Sequence, residues 1–382
     1  MIAERVYDLI PDDLFLRLDN FIGAARLLVK IEGLNPAGSI KLKTALALIT
    51  DAEESGRLRA GGRVVESSSG NLGIALSMVC AVRGYQFTCI TDPKASPHSV
   101  ATMRALSANV VVVTQPDANG GFLGTRIALI QEMLRTDPEL VWPNQYANPA
   151  NPRAHWERTA REILRAVPSV DFLFVGAGTT GTLMGCAGYF RSFSPSTRII
   201  AVDSLGSVTF GRLAGPRHIP GLGTSRRPEL CRADDLDAIV HIDEADAAWM
   251  CRRIAAEYGL LAGGSTGSVL AAVERYQSEI PAEATVVAIS PDLGERYLDS
   301  VYDDAWVIGK FGAGVLAGAR SRPAPVASMA VTVPALAETV PALAVAVPPM
   351  AVAVPTGDTV PPLAEALAAI SYLDCVRNPV PL

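Results

Sequence analysis

Short β-rich runs alternate with helical stretches along most of the chain, and no other feature restricts the fold as much. Val64–Glu66 reads as a strand, Ser67–Asn71 as a turn and Leu72–Arg83 as a helix that stops at Gly84. Gln86–Thr91, Ser96–Ser107, Asn109–Val113 and Thr125–Leu134 continue as strand, helix, strand and helix. The rhythm resumes with strand Phe172–Val175, helix Thr182–Phe193, strand Arg198–Asp203, helix Asp243–Tyr258 and strand Thr285–Ser290. Strands separated by helices pair in parallel, with helices covering both faces of the sheet. Two such series, divided near Trp142–Asn151, predict two three-layer α/β/α domains with a cleft between them. The smaller, mobile one is expected over about residues 35–145, and the larger over 1–34 plus 146–310. In open α/β sheets ligands sit beyond the carboxyl ends of strands, so the strand-to-helix turns are where chemistry belongs.

Composition narrows the class further. The chain is 49% apolar and 19% charged, enough for sizeable cores, and its net charge of -6 comes with no basic stripe for nucleic acid. Six cysteines include no CxxC pair and sit mostly in apolar runs, which fits buried thiols of a reducing compartment. Residues Met1–Asp8 lack the apolar core of a signal peptide. Beyond about Phe311 the chain turns into a Pro/Ala/Val-rich, nearly uncharged tail (311–382), with one short helix expected at Leu363–Leu373. Its prolines interrupt the apolar stretch too often for a membrane-spanning helix. A cytoplasmic protein without membrane contact is the expectation.

Four segments look chemically loaded. In Asn35-Pro36-Ala37-Gly38-Ser39-Ile40-Lys41, a lysine opens a predicted helix directly behind a Pro/Gly/Ser turn. A neighbouring positive helix end disfavours a cation and lowers an amine's pKa, which is what an imine-forming lysine needs. A solvated first-turn lysine would explain the heptapeptide equally well. The turn Ser67-Ser68-Ser69-Gly70-Asn71 offers hydroxyls, free backbone N–H groups and a carboxamide, suited to a carboxylate and an aromatic hydroxyl. Ordinary helix capping would use the same residues. Gly176-Ala177-Gly178-Thr179-Thr180-Gly181-Thr182 follows an apolar strand and reads as a phosphate cradle, although it is neither a Walker loop nor a clean dinucleotide fingerprint. Ala262-Gly263-Gly264-Ser265-Thr266-Gly267-Ser268 opens a helix running to Tyr276, with Ser265 as a small polar tip or a plain N-cap. An imine-capable lysine, a phosphate cradle and polar groups for a ring hydroxyl and a ring nitrogen together describe pyridoxal 5'-phosphate. The four histidines lack ligand spacing, so no metal site is expected.

These motifs, in this order, resemble the fold-type II pyridoxal-phosphate enzymes of the cysteine synthase/cystathionine β-synthase family, over roughly Val29–Trp306. The resemblance implies the tryptophan synthase β-subunit-like fold and a homodimer acting on small amino acids. It places the internal aldimine on Lys41 and the contact to the cofactor's phenolic oxygen on Asn71. Gly178, Thr179, Thr180, Gly181 and Thr182 fall on the phosphate loop, and Ser265 on the partner of the pyridine nitrogen. Ser68, Ser69 and Gly70 fall on the substrate-carboxylate turn. Gln145-Tyr146-Ala147-Asn148-Pro149-Ala150-Asn151-Pro152 matches the segment whose glutamine approaches substrate, and Pro291–Leu298, with Gly294-Glu295-Arg296-Tyr297, follows the family pattern without an assigned role. A neutral hydroxyl at the ring nitrogen makes the ring a weaker electron sink, which favours expulsion of a β-substituent over transamination.

Several stretches most resemble one branch of that family, the N-(2-amino-2-carboxyethyl)-L-glutamate synthases, which supply 2,3-diaminopropionate units. They include Thr91–Pro97, Gln115–Gly121 with Thr125–Ile127, Asn144–Asn148 and Val202–Val208. That branch implies β-replacement on O-phospho-L-serine through an aminoacrylate, with L-glutamate as nucleophile. Arg126 is then a candidate for the leaving phosphate and Tyr146 for a substrate contact, although a surface helix arginine would look the same. A cysteine synthase, a cystathionine β-synthase-like enzyme and a non-catalytic cofactor-binding relative are the alternatives. The chain departs from the family where Lys41-Leu42-Lys43 replaces Lys-Asp-Arg, where Leu72 replaces a threonine, and where an N-terminal Gly-Asn-Thr-Pro-Leu signal is missing. Lys43 is rejected as the cofactor lysine because two residues along a helix turn a side chain about 200° away.

Overall fold

In this computed structural model, residues 2–117 and 121–318 are described; Ala118–Gly120 of the Gln115–Gly121 segment, most of the 311–382 tail and Leu363–Leu373 lie outside them. Strands β1 (Phe15–Leu18) and β2 (Arg26–Ile31) pair antiparallel, an arrangement the βα rhythm does not announce. Helix α1 (Lys41–Glu54) leads into β3 (Arg63–Ser67), α2 (Asn71–Arg83), β4 (Gln86–Thr91), α3 (Pro97–Ala105), β5 (Asn109–Val112), α4 (Leu123–Thr136) and β6 (Leu140–Val141). Next, α5 (Ala150–Ala154) runs through a π-type turn at His155–Ala160 into α6 (Arg161–Ala166). The chain continues with β7 (Phe172–Gly176), α7 (Gly181–Phe193), β8 (Arg198–Ser204), β9 (Ala238–Ile242) and α8 (Glu244–Tyr258). It closes with α9 (Gly264–Arg275), β10 (Thr285–Ser290) and α10 (Asp304–Phe311).

Two sheets result, ordered β1-β2-β10-β7-β8-β9 and β5-β4-β3-β6, and every pairing except β1–β2 is parallel. Alternation along each strand sends neighbouring side chains to opposite faces. On β7, Phe172 and Phe174 pack towards α8 and α9, whereas Leu173 and Val175 pack towards α7. The smaller sheet does the same, with Val64 and Cys89 facing α1 and α2 while Val65 and Ile90 face Ile130 of α4. Helix α9 is buried from Gly264 to Val273, as expected of a helix wedged against strands.

The Leu42-Lys43 departure has a structural purpose. Leu42 is fully buried in the smaller core, and Lys43, also buried, points elsewhere, with Nζ 2.8 Å from Glu32 Oε2 and 2.7 Å from Asp12 Oδ1. Lys30, buried in β2, reaches the other oxygen of Glu32 at 3.2 Å. Removing one member of such a buried set leaves an uncompensated charge. Lys43→Ala is therefore expected to lower the free energy of unfolding by about 3 kcal/mol in urea titrations. A change below about 1 kcal/mol would show the network to be dispensable.

Candidate active site

The lysine turn is built by Asn35. Its side-chain amide donates to the carbonyls of Glu32 (2.8 Å) and Ser39 (2.9 Å), and its oxygen accepts from Ala37 N–H. Gly38 closes the turn at φ +67°, with the Arg296 guanidinium so near that an added Cβ would lie 2.6 Å from Nη2. Lys41 follows as the first residue of α1, only partly exposed, and its Nζ makes no hydrogen bond to any described residue. Burial lowers its pKa from 10.5 to about 8, against the opposing charge of Asp292. Desolvation, rather than the helix end suggested by sequence, is the main cause.

Asn71, first residue of α2, is clamped from both sides. Its Nδ2 donates to Asp292 Oδ2 (2.7 Å), and its Oδ1 accepts from Arg296 Nη1 (2.5 Å). Arg296 Nη2 also donates to the Ala37 carbonyl (2.6 Å), and Tyr297 Oη donates to Asp292 Oδ2 (2.6 Å). Ser39 and Asp292 form an antiparallel bridge beside an Ile40 N–H bond to the Pro291 carbonyl (2.8 Å). The segment after β10 thus ties the Lys41 turn to Asn71. Asp292 itself is fully buried, its pKa raised by desolvation, and its Oδ1 has no hydrogen-bond partner.

The glycine-rich turn after β7 ends in Thr180 at φ +65°, the N-cap of α7, and no side chain caps the N–H groups at that helix start. Thr180 Oγ1 is buried with no partner. Gly181 must lack a side chain, since a Cβ there would collide with the Asn151 carboxamide. That carboxamide donates to Gln145 O (2.8 Å) and Thr179 Oγ1 (3.2 Å) and accepts from Thr44 (3.3 Å), so α1, α5 and the cradle share one anchor. His155 stands behind it, 3.3 Å from Thr182 Oγ1 and 3.1 Å from Thr44 Oγ1, kept neutral by burial. Ser265, near the start of α9, is 3% exposed; its Oγ has no described partner and lies so close to Gly221 that a Cβ there would sit 2.6 Å from it. Gly221 in turn abuts Gly178.

On the smaller sheet's carboxyl edge, Ser68 Oγ accepts from Gly73 N–H (2.9 Å), so this serine caps α2 as the plainer reading of the turn allowed. Ser69 and Gly70 are partly exposed beside it, and Ser67 Oγ is buried without a partner. Gln145 Nε2 donates to Ser67 O (3.0 Å), and its backbone N–H bonds Glu66 (3.1 Å). Burial pushes the Glu66 carboxyl up to about 7, against hydrogen bonds from Trp142, Ser67 and Gln145. Arg126 is not a surface arginine. It is 8% exposed on α4, its guanidinium lies 3.4 Å from Asp92, and its Nε has no hydrogen bond. Burial raises the Tyr146 pKa, while Arg126, Arg217 and Arg226 lie close enough to oppose the shift.

Lys41 and Asn71 therefore share Asp292 as a neighbour, and Ser265 reaches Gly178 through Gly221. Asn151 joins the cradle to Gln145. Sequence reasoning assigned no role to Asp292, Arg296, Tyr297, Asn151, His155 or Glu66. The Pro291–Leu298 segment was the signal for the first three. Among the described residues no cluster of three or more His, Cys, Asp or Glu could hold a metal, and no helix is long and apolar enough to cross a membrane.

An α/β frame that gathers a half-buried lysine of lowered pKa, a glycine-rich turn at a helix start and an orphaned serine defines an enzyme of the pyridoxal-phosphate-dependent class. The chain belongs to the pyridoxal-phosphate dependent enzyme family, which it matches over residues 14–292. It is 42% identical over 328 residues to the N-(2-amino-2-carboxyethyl)-L-glutamate synthase of Ralstonia nicotianae, covering 85% of this chain and 97% of that one. It is 41% identical over 313 residues to the enzyme of that name from Cupriavidus metallidurans, covering 80% and 92%. The crystal structure of O-ureido-L-serine synthase superimposes with a TM-score of 0.73 at 32% identity, over 81% of this chain and 96% of that one. Pyridoxal 5'-phosphate is the cofactor. The orphaned Thr180 Oγ1, the free N–H groups of the cradle and the unpartnered Lys41 Nζ and Ser265 Oγ suit its phosphate, aldehyde and ring nitrogen.

Proposed function

We propose that the enzyme replaces the β-substituent of O-phospho-L-serine with the amine of L-glutamate, giving N-(2-amino-2-carboxyethyl)-L-glutamate and phosphate. The observation that carries this reading is Arg126, a buried guanidinium near Tyr146 whose Nε makes no hydrogen bond and only a 3.4 Å ion pair with Asp92, in a chain 42% identical to a synthase named for that product. Pyridoxal 5'-phosphate, when bound, supplies the carbonyl that captures the substrate amine and the electron sink that acidifies its α-proton. The chain's residues do the rest. Lys41 Nζ holds the cofactor and then accepts the α-proton, a task for which an amine pKa of about 8 is suited. Asn71, held by Asp292 and Arg296, orients the ring through its oxygen, and residues 178–182 hold the phosphate. The Ser68–Gly70 turn and Gln145 take the substrate carboxylate. Arg126 stabilises the departing phosphate, for which a guanidinium is geometrically matched.

The reading also includes a homodimer, checked by sedimentation, and a reducing cytoplasm, which suits five described cysteines that are all buried and unpaired. Its test is the product formed from phosphoserine and glutamate, identified by mass spectrometry with equimolar phosphate release. Faster turnover of O-acetylserine with sulfide would contradict it and indicate a cysteine synthase.

A further inference from the structure

The chain between β8 and β9 contains a long stretch without strand, and it folds back over the carboxyl edge of the larger sheet. Gly223 N–H bonds the Ala177 carbonyl (2.8 Å), Leu230 N–H bonds the Tyr146 carbonyl (3.2 Å), and Gly221 lies against Ser265. Arg217 sits in this segment, and the mechanism above leaves it unused. Its Nη1 donates to the Leu222 carbonyl (3.2 Å), its Nε is buried with no partner, and it forms no ion pair. Two acids lie nearby, neither in an ion pair with Arg217, and of their four oxygens only Asp203 Oδ2 is without a hydrogen-bond partner. Glu244 accepts from the backbone N–H groups of His218 (2.7 Å) and Ile219 (3.0 Å), and Asp203 Oδ1 accepts from Ser204 N–H (2.9 Å). Arg226, by contrast, is paired with Glu229.

A half-buried guanidinium without an ion pair carries a partial desolvation cost that an incoming anion would relieve. Its fork matches a carboxylate in two-point geometry. We propose that Arg217 binds a carboxylate of the amino-acid nucleophile, forming a second substrate site distinct from the one served by Arg126. This rests on the reading that the nucleophile is an amino acid. It extends that reading by naming the group that selects a carboxylate-bearing amine over a small neutral or thiol nucleophile.

The test is two-substrate kinetics of the holoenzyme and of R217A and R217K. In R217A the KM for L-glutamate is expected to rise roughly 10- to 100-fold, while the KM for phosphoserine and the spectral change on adding phosphoserine alone stay within about twofold. R217K keeps the charge but loses the fork, so a smaller rise is expected. Unchanged KM for glutamate in a folded variant would overturn the proposal and leave the proposed reaction standing, and so would an effect confined to phosphoserine. If R217A does not fold, R217K decides, with an unaltered KM counting against the site. Native enzyme that accepts only nucleophiles lacking a carboxylate would overturn both.

Discussion

Lys41→Ala is expected to abolish the visible absorbance of the bound cofactor and to slow product formation by about 1000-fold or more, since one amine both anchors the cofactor and moves the α-proton. The same residue predicts a pH signature. Its amine, brought down to about 8 by burial, loses its proton over a range where an ordinary lysine stays charged. Cofactor uptake by the apoenzyme, followed by absorbance, should therefore accelerate as pH rises through about 8. Asp292 opposes the shift, so Asp292→Asn removes a stabilising negative charge and should move the midpoint lower. A midpoint near 10 would mean that the amine is not desolvated.

Arg296→Ala is expected to have the second-largest effect. It strips hydrogen bonds from Asn71 Oδ1 and the Ala37 carbonyl and removes the support beneath Gly38. Two partly buried acceptors without donors cost about 2–4 kcal/mol, equivalent to a fall in Tm of about 3–6 °C. Because the lost contacts hold both the Lys41 turn and the Asn71 carboxamide, we expect a further consequence. Cofactor affinity should fall roughly tenfold or more, measured by equilibrium titration of apoenzyme. Tyr297→Phe removes a single hydrogen bond to Asp292 and should do less. An unchanged cofactor affinity in Arg296→Ala would reduce the clamp to a purely structural tie.

Local pattern carried much of the fold. Strands β4 and β10 fall where the alternation placed them, and α2 and α7 begin within a residue of the prediction. The antiparallel β1–β2 pair was hidden because β2 carries Lys30, a charge that spoils the apolar run and is tolerated only through Glu32 and the Asp12 carbonyl. Two-residue β6 and the π-type turn at His155 offered no period to detect. The candidate site could be proposed from sequence wherever one loop holds its own chemistry, as in the lysine turn and the cradle. It was illegible where partners lie far apart in the chain. Asn71 meets Asp292 across 221 residues and Arg296 across 225, and no spacing rule connects them. Arg126 was ambiguous for a related reason, since α4 looks like a surface helix until its burial against Asp92 is seen. Lys43 shows the converse. Helical geometry alone separates it from Lys41, and the structure gives it a different task.

The most direct test is to reduce the holoenzyme with borohydride, fixing the cofactor to the amine that holds it, and to map the pyridoxyl-bearing peptide by mass spectrometry. The account predicts a single modified lysine, Lys41. A label on Lys43, Lys30 or any other lysine would contradict it.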